Sequence, residues 1–158
     1  RIVRPLAKKD LHGGPFGFVF RAVHTLPVDL HSKHNPAALH AAVHALQQGD
    51  AVNVSPEAKR NYTEQLLLPF KYGAVVMSAR AHAPIIPYAI TGTYKPFSGG
   101  VTVRFGTAFY ASDDLTAANR ELYNRIATLL RRSMEPTVLA QKQFTEFDEW
   151  SIGHDKTS

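Results

Sequence analysis

Short apolar, β-branched runs alternate with stretches of helical periodicity along this 158-residue chain, and proline or glycine punctuates nearly every junction. A chain so divided folds as βαβ units around a mainly parallel sheet, because consecutive parallel strands need a crossover and a helix supplies it. Arg1–Ala7 and Gly17–Val23 have strand composition. Asn35-Pro36 supplies an N-cap and a first-turn proline for a helix over Ala37–Gln48, with Leu39, Val43 and Leu46 on one face and Gly49 as its stop. Ala51–Val54 reads as a short strand, and Ser55–Asn61 leaves it as a loop. Tyr72–His82 reads as a helix packed through Val75, Val76 and Ala79.

Pro84–Ile90 reads as a strand whose two prolines confine it to an edge or to broken pairing. Val101–Phe105 alternates cleanly after the Ser98-Gly99-Gly100 turn. Asp114 or Thr116 caps a longer helix to about Ser133, with Leu122, Ile126, Leu129 and Leu130 as its apolar stripe. Residues 1–134 therefore read as one α/β domain, its sheet flanked by helices in three layers. Residues 135–158 read as a partly ordered tail in which Phe144, Phe147 and Trp150 are spaced to dock a last helical turn. The opening strand at Arg1 implies a domain entered after its start.

Composition narrows the chemistry. There is no cysteine, which excludes a disulfide framework, an Fe–S site and a thiol nucleophile. The net charge of +5 and isoelectric point of about 9.6 favour anionic partners, yet the basic residues occur at most in adjacent pairs, so no polybasic arm for nucleic acid is present. No apolar run reaches the roughly 20 residues of a bilayer span. His40 and His44 lie one helical turn apart, a metal-compatible spacing, but no third ligand accompanies them, and Gly13-Gly14 belongs to no phosphate-loop pattern. Neither a metal nor another cofactor is expected.

The ordered series Ser55-Pro56-Glu57-Ala58-Lys59-Arg60, Leu68–Ala74 and Ala83–Gly92 resembles the bacterial glycerolipid acyltransferases, the 1-acylglycerol-3-phosphate acyltransferase family. Ala7–Leu11, Phe16-Gly17, Leu26–Asp29, Pro36–Gly49 and Asp114–Asn119 fall in the same order, so the resemblance spans about residues 4 to 132. It implies acyl transfer from acyl-CoA or acyl-carrier protein to lysophosphatidic acid, at the cytoplasmic surface of an anionic membrane. The family's Pro-Ile-Val-Pro block survives as Pro84–Pro87. Its Phe-Pro-Glu-Gly-Thr block keeps Pro56 and Glu57 but has Ser55, Ala58 and Lys59 at the other positions, and Leu30 stands where an arginine is usual.

The family's His-x4-Asp block would precede Ala7-Lys8. By resemblance its histidine is the general base on the acceptor hydroxyl, and its aspartate orients the imidazole. The implied acceptor-binding residues here are Glu57, Lys59 and Arg60, with Lys8 and Lys71 as further matches. The plain alternative for Glu57 is a carboxylate that accepts from loop N–H groups, and for the cations a solvated surface. His24 and Asp29 reproduce the His-x4-Asp spacing, but Pro27 lies between them in an extended segment where odd offsets face opposite sides. The pair is a decoy on that geometry.

Two readings stand beside the acyltransferase: a degenerate, non-catalytic phospholipid- or anion-binding module, and a nucleic-acid-binding domain supported by charge alone. With the base block missing, the 158-residue chain should release only background thiol from acyl-CoA in the presence of lysophosphatidic acid. Turnover that disappears in His24→Ala would show instead that His24 and Asp29 meet.

Overall fold

The computed structural model describes residues 2–8, 22, 24–28, 36–92 and 100–148. Three strands, β1 (Val3–Lys8), β2 (Leu26–Val28) and β3 (Ala51–Asn53), form a parallel sheet in the order β2-β1-β3. The helix α1 (Pro36–Gln47) makes the crossover between β2 and β3. After helix α2 (Gly73–Ala81), β4 (Tyr88–Gly92) and β5 (Val101–Phe105) pair antiparallel, and α3 (Leu115–Ser133) and the single turn α4 (Pro136–Leu139) complete the order. The α/β class follows as expected, with an antiparallel hairpin added to the parallel strands. Of the strand expected at Gly17–Val23, Ala22 alone is among the described residues and is helical, and the turn residues 98 and 99 lie outside them.

Helix boundaries follow local chemistry. Asp114 caps α3 by accepting from the backbone N–H groups of Thr116 and Ala117, which satisfies two otherwise orphaned donors. Arg131 and Arg132 occupy its last turn, where cations oppose the helix dipole favourably. His82 ends α2 in the left-handed conformation at φ 48°, its N–H donating to the Ser78 carbonyl. The strand expected from Pro84 begins only at Tyr88. Ile85 instead forms an isolated bridge with Phe109, because the prolines at 84 and 87 bring no donors to a continuous ladder.

Packing departs from the sequence pattern on α1 and α2. The buried residues of α1 are Ala38, Ala42 and Ala45, whereas Leu39, Val43 and Leu46 are half-buried. On α2, Ala74, Val75, Met77 and Ser78 are buried, while Val76 and Ala79 are half-buried. The two helices pack on each other. Small side chains on a helix surface let a neighbouring backbone come close, so the alanine stripe becomes the most enclosed one even though it is the less hydrophobic. On α3 the expected Leu122 is buried, but the centre of the core is Tyr123, which is fully enclosed.

Tyr123 meets Phe70 edge-on at 5.0 Å between ring centroids and lies within 6 Å of Phe144 and Phe147. Its hydroxyl donates to the Thr145 carbonyl at 2.8 Å. Residues 143–147 are thereby stitched onto the core, helped by the bridge between Gln65 and Gln143. One helical turn earlier, the fully buried Asn119 donates from Nδ2 to the Phe70 carbonyl at 3.4 Å; its Oδ1 has no partner among the described residues. At the other end, Arg4 Nε donates to Asp50 at 2.6 Å and ties β1 to the turn before β3. That hydrogen bond, ahead of weaker contributions from the Ile2 N–H and the nearby positive charge, holds the Asp50 carboxyl below the usual aspartate range.

Removing the Tyr123 hydroxyl in Tyr123→Phe should cost about 1 kcal/mol, since a partly buried carbonyl loses its donor. Tyr123→Ala should cost about 3–5 kcal/mol by opening a cavity between three rings. Urea unfolding separates the two, and an unchanged midpoint in Tyr123→Phe would show that Thr145 is held by other contacts.

Candidate functional site

Parallel pairing brings the carboxyl ends of β1, β2 and β3 to one edge of the sheet, where open α/β folds gather ligands. The edge is stepped. Val28 pairs with Lys8, but Asn53 pairs with Pro5, so β3 stops about 10 Å short of the other two strands at roughly 3.3 Å per residue. The loop that leaves β3, Val54–Arg60, climbs from this lower step. Glu57, Lys59 and Arg60 are all on it.

The loop begins as a tight turn in which the Ala58 N–H donates to the Ser55 carbonyl at 3.1 Å, with Pro56 in the first central position that suits its fixed φ. Ala58 itself sits at φ 55°, in the left-handed region. A Cβ there crowds the following carbonyl, which is why the glycine of the related motif suits this position better than alanine. The turn is then clamped from above. The Lys71 N–H donates to the Pro56 carbonyl at 2.7 Å, and the Leu68 N–H donates to Glu57 Oε2 at 2.9 Å. Asn61 locks the intervening segment by donating to the Gln65 carbonyl and accepting from Thr63.

Glu57 is half-buried, and desolvation pushes its carboxyl above the ordinary glutamate range; the Leu68 N–H and the charge of Lys59 oppose this without cancelling it. No hydrogen bond from the described residues reaches Oε1. One oxygen therefore holds the loop and the other can accept from a hydroxyl. Lys59 and Arg60 are exposed and make no ion pair among the described residues. The carboxylate and two cations lie within four positions on one anchored loop, a combination suited to a phosphomonoester next to a hydroxyl.

Other residues singled out from the sequence fall elsewhere. His24 is exposed in a turn at φ 54°, and the extended β2 follows it; Asp29 and Leu30 lie outside the described residues. Lys71 is exposed and contributes its backbone, while the side chain of Lys8 lies outside the described residues. His40 and His44 are exposed on α1, and no group of three metal-ligating side chains occurs among the described residues. One contact near the site had no signal in the sequence: the Tyr88 hydroxyl donates to Asn53 Oδ1 at 2.7 Å, joining the hairpin to the last residue of β3. The distance of 35 positions between them hides it from any local pattern.

Two consequences are measurable. Ala58→Gly should raise the unfolding free energy by about 1 kcal/mol, relief of the left-handed backbone exceeding the extra chain entropy of glycine; a loss of stability would mean that the Ala58 methyl packs usefully. Because the folded-state pKa of Glu57 is raised, its contribution is fully present when it is protonated and is lost as pH rises through that raised value. Urea midpoints between pH 4 and 8 should therefore move in favour of Glu57→Gln relative to wild type as pH increases. A difference that is flat with pH would place Glu57 in an environment as wet as the unfolded chain.

Residues 1–91 match the model of a family described as acyltransferase, whereas no curated protein and no solved structure gives a significant match. The matched segment contains all three parallel strands, the stepped edge and the whole clamped loop. It also covers more than half of the 158 residues, and the chain belongs to the acyltransferase family.

Proposed function

We propose that the loop carrying Glu57, Lys59 and Arg60 forms the acceptor side of a site that acylates lysophosphatidic acid from acyl-CoA or acyl-carrier protein, in bacterial phospholipid synthesis. Lys59 and Arg60 hold the phosphate, and Glu57 Oε1 accepts from a glycerol hydroxyl. In the reaction the acceptor hydroxyl oxygen attacks the thioester carbonyl. The new C–O ester bond forms, the C–S bond breaks, and the hydroxyl proton passes to a base while the thiol leaves. By resemblance that base is a histidine paired with an aspartate, and neither is assigned to a residue of this chain. No metal or other cofactor enters the scheme.

The observation that carries the reading is the division of labour at Glu57: Oε2 is spent on the Leu68 N–H, Oε1 has no partner among the described residues, and Lys59 and Arg60 are exposed on the same loop. Family membership supplies the acyl transfer; the loop supplies the polar acceptor. Among the described residues no helix is long and apolar enough to cross a membrane, and we place the chain at the cytoplasmic surface of an anionic bilayer. A non-catalytic phospholipid-binding module is the second reading. It is favoured by Ala58, which holds a conformation natural to glycine, and by Leu30 where a phosphate-binding arginine is usual.

Titration of lysophosphatidic acid below its micellar concentration should show binding that weakens with salt. The Lys59→Ala/Arg60→Ala double variant should lose about tenfold in affinity, the equivalent of roughly 1.4 kcal/mol shared between two exposed charge-assisted contacts. Equal affinity in both proteins would remove the loop from the acceptor site.

A further inference from the structure

The last residue of β3 carries a polar side chain that the fold holds in one orientation. Val54 packs against the core cluster, so strand alternation turns Asn53 to the opposite face. There the Tyr88 hydroxyl donates to Asn53 Oδ1 at 2.7 Å. Tyr88 is itself fixed. It pairs with Phe105 across the hairpin, its ring lies 5.8 Å from the Phe105 ring, and the preceding carbonyl, on Pro87, accepts from the Gly106 N–H at 2.8 Å. Because the hydroxyl meets the oxygen of the carboxamide, the amide is held with its Nδ2 donors on the other side.

Nothing among the described residues takes those donors. Asn119 Oδ1 is the single buried side-chain polar atom without a partner there, so Nδ2 of the half-buried Asn53 reaches solvent, as does Glu57 Oε1. The strand end and its loop thus present an open acceptor, an open pair of donors and the cations Lys59 and Arg60, which are unpaired among the described residues. A tight turn keeps these groups close along the chain: the ends of Ser55–Ala58 stand within about 7 Å, and Lys59 and Arg60 follow directly. A carboxamide whose oxygen is taken selects a ligand atom that accepts, and an anionic oxygen makes the stronger bond with it. The adjacent cations favour the same choice.

We propose that Asn53 is a further ligand of the acceptor phosphate, donating from Nδ2 to a phosphomonoester oxygen, and that Tyr88 is the positioning residue that keeps the amide turned for it. This role rests on the reading of the Glu57–Arg60 loop as an acceptor site. The plain alternative is a tether, in which the Tyr88 hydroxyl only joins the hairpin to β3.

Titration of monomeric lysophosphatidic acid and of glycerol 3-phosphate into wild type, Asn53→Ala, Tyr88→Phe and the double variant separates the two. Both single variants break the same hydrogen bond, so their urea midpoints should fall by similar amounts. Affinity for either ligand should drop about tenfold in Asn53→Ala, which loses the donor, and about threefold in Tyr88→Phe, which leaves the amide free to turn. The double variant should bind no more weakly than Asn53→Ala, since Tyr88 acts through that side chain. Salt dependence should stay that of wild type, because the group removed is neutral. Equal losses in the two single variants, or a flattened salt dependence, would reveal a tether whose breakage moves the whole loop, and would overturn the assignment. If Asn53→Ala does not fold, Asn53→Asp, which still accepts from Tyr88 but donates nothing, must bind at least about tenfold more weakly; wild-type affinity there overturns it too. The acceptor reading is judged separately. Binding of glycerol 3-phosphate that depends on Asn53, with lysophosphatidic acid ignored, removes the lipid acceptor and keeps the phosphate ligand. Binding that depends on Lys59 and Arg60 but not on Asn53 does the reverse, and a wild type that binds neither ligand overturns both.

Discussion

The clamped loop depends on a side chain that never approaches it. Tyr123, at the centre of α3, fixes Phe70 by ring contact, and Asn119 one turn earlier fixes the Phe70 carbonyl. The backbone on either side of Phe70 then sets the site: Lys71 holds Pro56, and Leu68 holds Glu57. Aromatic packing in a dry core is insensitive to salt and weakly sensitive to pH, so a polar loop at the sheet edge inherits its position from an apolar cluster. The Asn119 Oδ1, without a partner among the described residues, is the weak point of this arrangement, since a buried unpaired acceptor costs about 1–3 kcal/mol.

Strain and charge meet on the same loop. Ala58 adopts a left-handed backbone that glycine would adopt without crowding, and Glu57 is held half-buried next to it. Both features are unfavourable in isolation and are sustained by the hydrogen bonds from residues 68 and 71. The consequence is a preorganised carboxylate with one oxygen committed to the fold. In the proposed acceptor site, the other oxygen would meet a hydroxyl without rearrangement, the way a rigid loop converts folding energy into affinity.

The hairpin plays a different part. It contributes one face to the core through Ala89 and leaves the other apolar, while Tyr88 reaches Asn53 at the base of the site loop. Gly92 makes the hairpin possible at the end where the chain leaves β4: at φ 103° a Cβ would lie 1.6 Å from the Gly100 carbonyl oxygen, so no other residue fits without moving the chain.

What the sequence determined by itself was local. Asp114 as a cap, Pro36 and Gly49 as the limits of α1, and the alternation of Val101–Phe105 each depend on chemistry within a few residues, and the structure places those elements where the pattern does. Glu57 stood out because a motif of adjacent residues carried it. Tertiary structure decided the rest. The alanine face of α1 is the most enclosed although it is the less hydrophobic one, because α2 and the strands β2 and β3 pack on that helix, which hydrophobicity along one helix cannot show. Glu57 finds its donor eleven residues away, Tyr88 finds Asn53 at a distance of 35, and Arg4 finds Asp50 at 46. Those partners share no spacing rule, because only the folded chain brings them within the 3 Å over which a hydrogen bond acts.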